Sequence, residues 1–346
     1  MASESKDTID SRPGELFVPA EEEYSVDNPD EMDNSEDVGI KYTILQIKED
    51  TTARIGLYIV SIIMIVAIYA TIDAQLLDYA IAERFWYHPE FDPDSPEANL
   101  PPIGITNAYG EGTVAHPLGT DHRGRDILAR LVYGSRVSIQ AGVFATFIGM
   151  AGGIIIGSVA GYYGGRIDDL LMRGIETLYA IPFLVLIIAF MSAVGRDLVI
   201  AMVAVSILTT PVFARLIRSE VLSVREMAYV EAARASGLRD YQIILRHVIP
   251  NSFASVVVQA TLQIGSIILL IAGLSFLGFG AQEPTPDWGA MLADSRGFLL
   301  PNPWFSVWPG LAILITVVAF NIVGDGLRDA LDPYIDNSQK EDEGRI

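Results

Sequence analysis

The 346-residue sequence contains no cysteine, which excludes disulfide staples and thiolate metal sites. Lysine is almost as scarce, with Lys6, Lys41, Lys48 and Lys340 the only four. None of them follows a glycine or precedes Ser or Thr, so the phosphate-cradling G-x(4)-G-K-[ST] loop of an ATPase is absent. The four histidines, His88, His116, His122 and His247, include no pair at i, i+4 spacing, and helical metal chelation has no signal. His116 and His122 share one segment, where nickel contact and ordinary loop packing both stay open. Charge is missing over long stretches: the charge-free windows are 55–72, 137–165, 177–195, 198–214, 247–282 and 297–324.

Each window is 17 residues or longer. A helix of roughly 20 apolar residues crosses the hydrocarbon core of a bilayer. A charge at its centre costs about 2.5–3.5 kcal/mol on insertion scales. With 51% hydrophobic residues and a mean hydropathy of +0.36, the expected fold class is an all-α membrane protein with six transmembrane helices. The first helix, within 51–73, stands apart. A polar segment, 74–136, follows it, with proline clusters at Pro93, Pro96, Pro101 and Pro102. Residues 137–330 form a core of five further spans. The second starts near Val137 and carries Gly142, Gly149, Gly153, Gly157 and Gly161, small residues that suit close packing inside a bundle. A turn at Gly164–Gly174 leads to a third span, Thr177–Val194, with Pro182 near its start. Spans at Leu198–Ala214, Ala254–Gly278 and Ser306–Gly324 complete the set.

With six spans and the N-terminus inside, 14 Lys and Arg fall on the inner side, or 16 with Lys6 and Arg12, against seven outside. This bias places both termini in the cytoplasm and 74–136 outside. Arg123, Arg125, Arg130 and Arg136 run against it, in a loop long enough to escape the rule. Residues 1–50 hold 15 acidic side chains against four basic ones and no apolar signal-peptide core. They read as a disordered, solvating cytoplasmic tail, with a docking arm as the alternative; 331–346 is a second acidic tail. The net charge of −20, with so little lysine, suits a salt-saturated cytoplasm and predicts a halophilic archaeal source.

The segment Arg215–Ser252 separates two spans. Met227–Ser236 has strong helix propensity from Ala232, Ala233 and Ala235, and Gly237 supplies a left-handed closure. Asp240 is placed to cap a second short helix through Val248, which Pro250 ends. The result is a helix–turn–helix with a low-profile tip, and Glu231 offers a charge-assisted bond to a partner arginine. Docking in a groove of a soluble partner and lying along lipid headgroups are equally open on these residues alone.

The run Glu231-Ala232-Ala233, with Gly237 four residues on and Ile249-Pro250 closing, resembles the EAA loop of ABC-importer permeases; Ile249 stands where leucine is common. The stretches HPLGTDHRGRDILARLVYGSRVS, LSFLGFGAQEPTPDWGAML and GLAILITVVAFNIVGDGLRDALDPY are similar to the dipeptide/oligopeptide/nickel permease family, specifically its C-type subunits. The resemblance covers roughly residues 50–335. It implies a type I ABC-importer permease fold in the cell membrane, multi-pass, with a cytoplasmic coupling helix. Tyr229, Glu231, Ala232, Ala233, Ser236, Gly237, Ile249 and Pro250 would couple it to the ATPase subunits. The implied partners are a homologous B-type permease, two nucleotide-binding ATPase subunits, an extracellular substrate-binding protein and membrane lipid, but no nucleic acid. This chain would bind no cofactor and be no enzyme, with ATP hydrolysed by its partners. The implied cargo is di- or oligopeptide, with nickel or another small solute as the alternative.

Trp288, in the loop Pro284–Gly289, is expected at the membrane interface. With Asn321 and Asp325 near the inner end of the last span, it is a candidate for the translocation pathway or gate. Structural alternatives stand beside each: a lid for the loop, helix capping and Arg328 pairing for the two polar residues. A membrane-embedded enzyme would need a constellation of ionisable groups inside the spans, which is missing. A channel would need a filter or rings of charge, equally missing.

Overall fold

A computed structural model of the chain describes residues 47, 50–85, 87–90 and 98–331. The expectations for the two acidic tails fall outside these residues, apart from Ile47, Asp50 and Leu331. Twelve helices are described: α1 Thr51–Leu76, α2 Ala80–Phe85, α3 Ile127–Tyr163, α4 Gly165–Tyr179, α5 Phe183–Val194, α6 Leu198–Val224, α7 Ala228–Ala235, α8 Asp240–Ile243, α9 Ile249–Asn251, α10 Phe253–Phe276, α11 Trp288–Ser295 and α12 Trp304–Leu331. A small antiparallel hairpin joins β1, Thr106–Asn107, to β2, Gly110–Glu111, with Thr106 opposite Glu111. The class is therefore all-α, as the charge-free windows predict.

Four helices begin at an aspartate whose carboxylate accepts from a backbone N–H of the first turn. Asp50 takes Thr52 N at 2.8 Å, Asp126 takes Ala129 N at 2.7 Å, Asp197 takes Val199 N at 2.8 Å and Asp287 takes Ala290 N at 3.0 Å. Each cap satisfies an orphan donor and places negative charge at the positive end of a helix dipole.

Five helices, α1, α3, α6, α10 and α12, are long and apolar enough to cross a membrane. The third expected span differs: α4 and α5 meet at 87° across Ala180–Pro182. The segment expected as a turn, Gly164–Gly174, is helical, and α5 alone has 12 residues, too short to cross at 1.5 Å per residue. Two further boundaries move. Helix α3 starts at Ile127 rather than Val137 and runs 37 residues, so Gly134 lies inside it. Helix α6 continues to Val224 rather than stopping at Ala214. In both cases the charge-free window ended at an arginine that a helix carries without difficulty once it leaves the hydrocarbon.

The glycine stripe explains how the bundle is tied. A Cβ on Gly149 would meet Thr209, on Gly153 Phe213, on Gly157 Ile217, and on Gly161 Val221. The partner number rises with the glycine number, so α3 and α6 run parallel in close contact, as small-residue packing permits. Parallel neighbours require the chain to return between Tyr163 and Leu198. The bent pair α4–α5 lies in that interval and, counted as one span, brings the crossings to six.

The bundle centre collects Ala141 and Ala145 of α3, Ile187 and Met191 of α5, Ala201, Met202 and Val205 of α6, and Ile267, Ile271 and Leu274 of α10. Helix α1 does not stand apart. Ala53 lies against Gly326, and Gly56 against Ile322, both on α12. Its other face leaves Tyr58, Ile62, Ile65 and Ile68 exposed, as suits a lipid-facing surface.

Candidate coupling site and its counterpart at the opposite end

Helix α3 defines two ends of the bundle. Its N-terminus meets Trp288 of α11, and its C-terminus, Tyr162, meets the segment 225–252. At the latter end α7 forms where the alanines predict it. Gly237 has φ +80°, the left-handed closure that favours glycine. Val230 is fully buried and Ala233 nearly so, packed with Ile217 and Val221 of α6 and with Ile243, Val248 and Val256. Tyr229, Glu231, Ala232, Ser236 and Gly237 lie on the exposed side. One face of α7 is thus anchored, and the other carries a carboxylate flanked by small side chains.

The second arm differs from the expected simple helix. Asp240 is its first residue, not its cap. The Arg239 N–H donates instead to Gln242 Oε1 at 3.0 Å. Asp240 accepts from the Tyr162 hydroxyl at 2.9 Å, fastening this arm to α3. After Ile243 the helix widens to a π turn, Ile244–Val248. Pro250, which has no N–H to give, sits within α9 just beyond it. Proline therefore widens the helix without ending it, and the chain re-enters α10 through Ser252. Ile249 is half-buried and Pro250 exposed. From the first arm, Arg234 reaches the same Tyr162 hydroxyl at 3.5 Å, and its guanidinium stands 5.6 Å from the ring centroid. Arg225 donates to the carbonyl of Gly161 at 2.8 Å. Both arms are clamped on one end of one long helix.

The three gate candidates are not brought together. Trp288 is buried, 3% exposed, and its Nε1–H donates to the carbonyl of Leu131 at 2.9 Å. A Cβ at position 134 would stand 2.9 Å from the indole, so Gly134 makes room for it. Trp288 is a packing residue between α11 and α3, not the interfacial side chain the loop composition suggested. Asn321 is half-buried with its amide beside Gly265 of α10. Asp325 is exposed, and the expected pairing with Arg328 is not among the ion pairs of the described residues.

At the opposite end lies a charge network that spacing alone only half showed. Within 119–136, Arg125 Nε donates to Asp121 Oδ2 at 2.6 Å, both fully or almost fully buried, and Arg130 Nε lies 3.6 Å from the same oxygen. Distant acids complete it. Glu283 pairs with Arg123 and approaches Arg125 to 3.6 Å, and Asp294 approaches Arg125 to 3.8 Å. Arg123, Arg125 and Arg130, which oppose the Lys/Arg bias, are therefore largely neutralised by these acids. Burial, and next the charge of Glu283, raise the Asp294 carboxyl above the usual range. Burial does the same to Asp287. His116 makes a buried pair with Asp126 at 2.9 Å, and His122 stacks on Phe298 and Phe305. Among the described residues no three His, Asp or Glu side chains are grouped to hold a metal ion.

Residues 153–337 match the family described as the binding-protein-dependent transport system inner membrane component. Among curated proteins, the chain is 41% identical over 288 residues to the dipeptide transport system permease protein DppC of Alkalihalophilus pseudofirmus, covering 83% of this chain and 88% of that one. It is 46% identical over 221 residues to the glutathione transport system permease protein GsiD of Pectobacterium atrosepticum, covering 64% and 73%. Among solved structures, a chain of the MetNI methionine ABC transporter in an inward-facing conformation is similar at 20% identity and a TM-score of 0.49, over 59% of this chain and 97% of that one. The glycine-packed bundle with its clamped surface helix thus belongs to the binding-protein-dependent transport system inner membrane components, transport subunits of ABC importers and not enzymes.

Proposed function

We propose that this chain is one permease half of an ATP-driven peptide importer, coupled to its ATPase subunits through the exposed side of α7 and the turn at Gly237. The observation that carries this reading is the division of α7 into a buried face, Val230 and Ala233, and an exposed one, Glu231, Ala232 and Ser236. A helix so anchored is a rigid knob. The small side chains admit close approach by a partner groove, and Glu231 supplies a charge-assisted bond within it. The pairing of both arms with Tyr162 supports transmission of a push on the knob into α3.

In this reading the α7 end is cytoplasmic, both termini lie on that side, and two ATP-hydrolysing subunits dock there. A homologous B-type permease completes the pathway, and a substrate-binding protein delivers cargo at the α11 end. Tyr229, Ile249 and Pro250 shape the docking element. Asn321 and Asp325 remain pathway candidates on α12. The names of the relatives favour di- or oligopeptide cargo over nickel. Uptake of a labelled dipeptide and of nickel by cells carrying the complete transporter, with and without this chain, tests the assignment. The expected result is chain-dependent dipeptide uptake that stops when ATP is depleted. Chain-dependent nickel uptake with no dipeptide uptake would overturn it.

A further inference from the structure

Helix α4 is an unusual support for a membrane crossing. Of its 15 residues only Ile175 is buried, while Ile167 and Leu170 stand exposed. Apolar packing alone therefore holds it weakly. Two polar contacts do the rest, both with α6. Arg218 Nε and Nη2 donate to the two carboxylate oxygens of Asp168 at 2.5 and 2.6 Å. The Arg215 guanidinium lies 4.3 Å from the ring centroid of Tyr179, the last residue before the bend. A two-pronged guanidinium–carboxylate pair fixes direction as well as distance, and stacking over an aromatic ring adds a second fixed point.

These two contacts tie each end of α4 to the part of α6 that leads into the α7 element. Beyond the 87° bend, Ile187 and Met191 of α5 insert into the centre of the bundle. We infer that Asp168–Arg218, assisted by Arg215–Tyr179, is a strut whose positioning residues make the bent crossing move with the coupling element. A push at α7 that shifts the foot of α6 is carried through the strut to α4, and the bend converts it into displacement of α5 at the core. This inference rests on the coupling role proposed for α7.

The test uses the whole transporter, with its ATPase and binding-protein subunits, in liposomes. Variants are Asp168→Asn, Arg218→Gln, and the exchange Asp168→Arg with Arg218→Asp. Spin labels at Ala180→Cys and Ala235→Cys, then the only cysteines of this chain, report the distance between the bend and the α7 tip. With the strut intact, that distance is the same with and without trapped ATP. In Asp168→Asn it changes on ATP binding, ATP hydrolysis persists, and peptide taken up per ATP falls by about tenfold, the scale of one lost charge-assisted contact. The exchanged pair recovers both readouts. Unchanged uptake per ATP in Asp168→Asn would overturn the strut. So would hydrolysis and uptake falling together in step, which would mean a role in assembly only. If the unmodified chain fails to retain ATPase subunits, the coupling role of α7 fails instead, which is a separate outcome.

Discussion

At the scale of single residues, a side chain or its absence decides the local geometry. Gly237 sits at φ +80°, a conformation that costs an L-residue roughly 1–2 kcal/mol and a β-branched one more. A Cβ there meets open space, so Gly237→Val strains the backbone without a clash. The expected outcome is normal membrane insertion with loss of ATP-driven uptake, checked by membrane fractionation beside a transport assay. Asp73 is buried at the end of α1 and accepts from the Tyr133 hydroxyl at 2.5 Å and the N–H groups of Ile81 and Ala82 at 2.9 and 3.0 Å. Asp73→Ala leaves the N–H groups of Ile81 and Ala82 unpaired and the Tyr133 hydroxyl with only that of Tyr69, at 3.4 Å, and each buried donor left unpaired costs about 1–3 kcal/mol. Its thermal midpoint in detergent should fall well below that of Asp73→Asn, which keeps an acceptor.

Asp294 has a proton-linked signature. Its folded pKa is raised, so the folded state holds a proton that the unfolded state has released. The stability it contributes is complete below the ordinary aspartate value of about 3.9 and is lost as pH rises through the raised one. Midpoints measured upward from pH 4 should therefore decline less in Asp294→Asn than in the unmodified chain. Parallel declines would contradict this account. The closure at Gly237 was legible because the chemistry of a helix end is local. Trp288 was not, since its hydrogen-bond partner Leu131 is 157 residues away and its cavity is made by a missing Cβ at Gly134.

At the scale of elements, the spacing of glycines in α3 indicated a packed helix, and its partner proved to be α6. A Cβ at Gly153 would stand 2.3 Å from that of Phe213, with backbone just behind, so the neighbour has no room to yield. Gly153→Leu should separate the two helices and destabilise by about 1–3 kcal/mol or more, seen as a lower unfolding midpoint and loss of uptake. Gly273 of α10 faces open space, and Gly273→Ala should leave both unchanged or raise stability slightly. The bent crossing was only partly legible. Pro182 announced a break, but Arg166, Asp168, Asp169 and Arg173 made α4 look like a turn. An amphipathic helix at a membrane surface carries such charges on its outer side, and charge-free windows pass it over. The same limit shortened α3 and α6, whose ends extend past arginines into the polar zone.

At the scale of the whole molecule, the Lys/Arg count and the charge network belong together. Arg123, Arg125 and Arg130 run against the bias in a loop long enough to escape the rule, and the acids that pair with Arg123 and Arg125, Glu283 and Asp294, lie more than 150 positions further along the chain. The chain as a whole is acidic, with a net charge of −20. We propose that this composition is an adaptation to high salt. Repulsion among carboxylates is screened over about 10 Å at 0.1 M salt and about 3 Å at 1 M. The unfolding midpoint in detergent should therefore rise with KCl from 0.1 M to molar concentrations, and a flat or falling midpoint would contradict the proposal.

The central claim, that the exposed side of α7 docks an ATPase subunit, can be read directly because any introduced cysteine is unique in this chain. Single variants Ala232→Cys, Val230→Cys and Leu300→Cys place a thiol on the exposed face of α7, on its buried face, and on the almost fully exposed turn before α12. In native membranes, a short thiol-directed photo-crosslinker should capture an ATP-binding subunit from position 232 and from neither of the others. Capture from position 300, or none from 232 in a complex that still imports, would contradict the account.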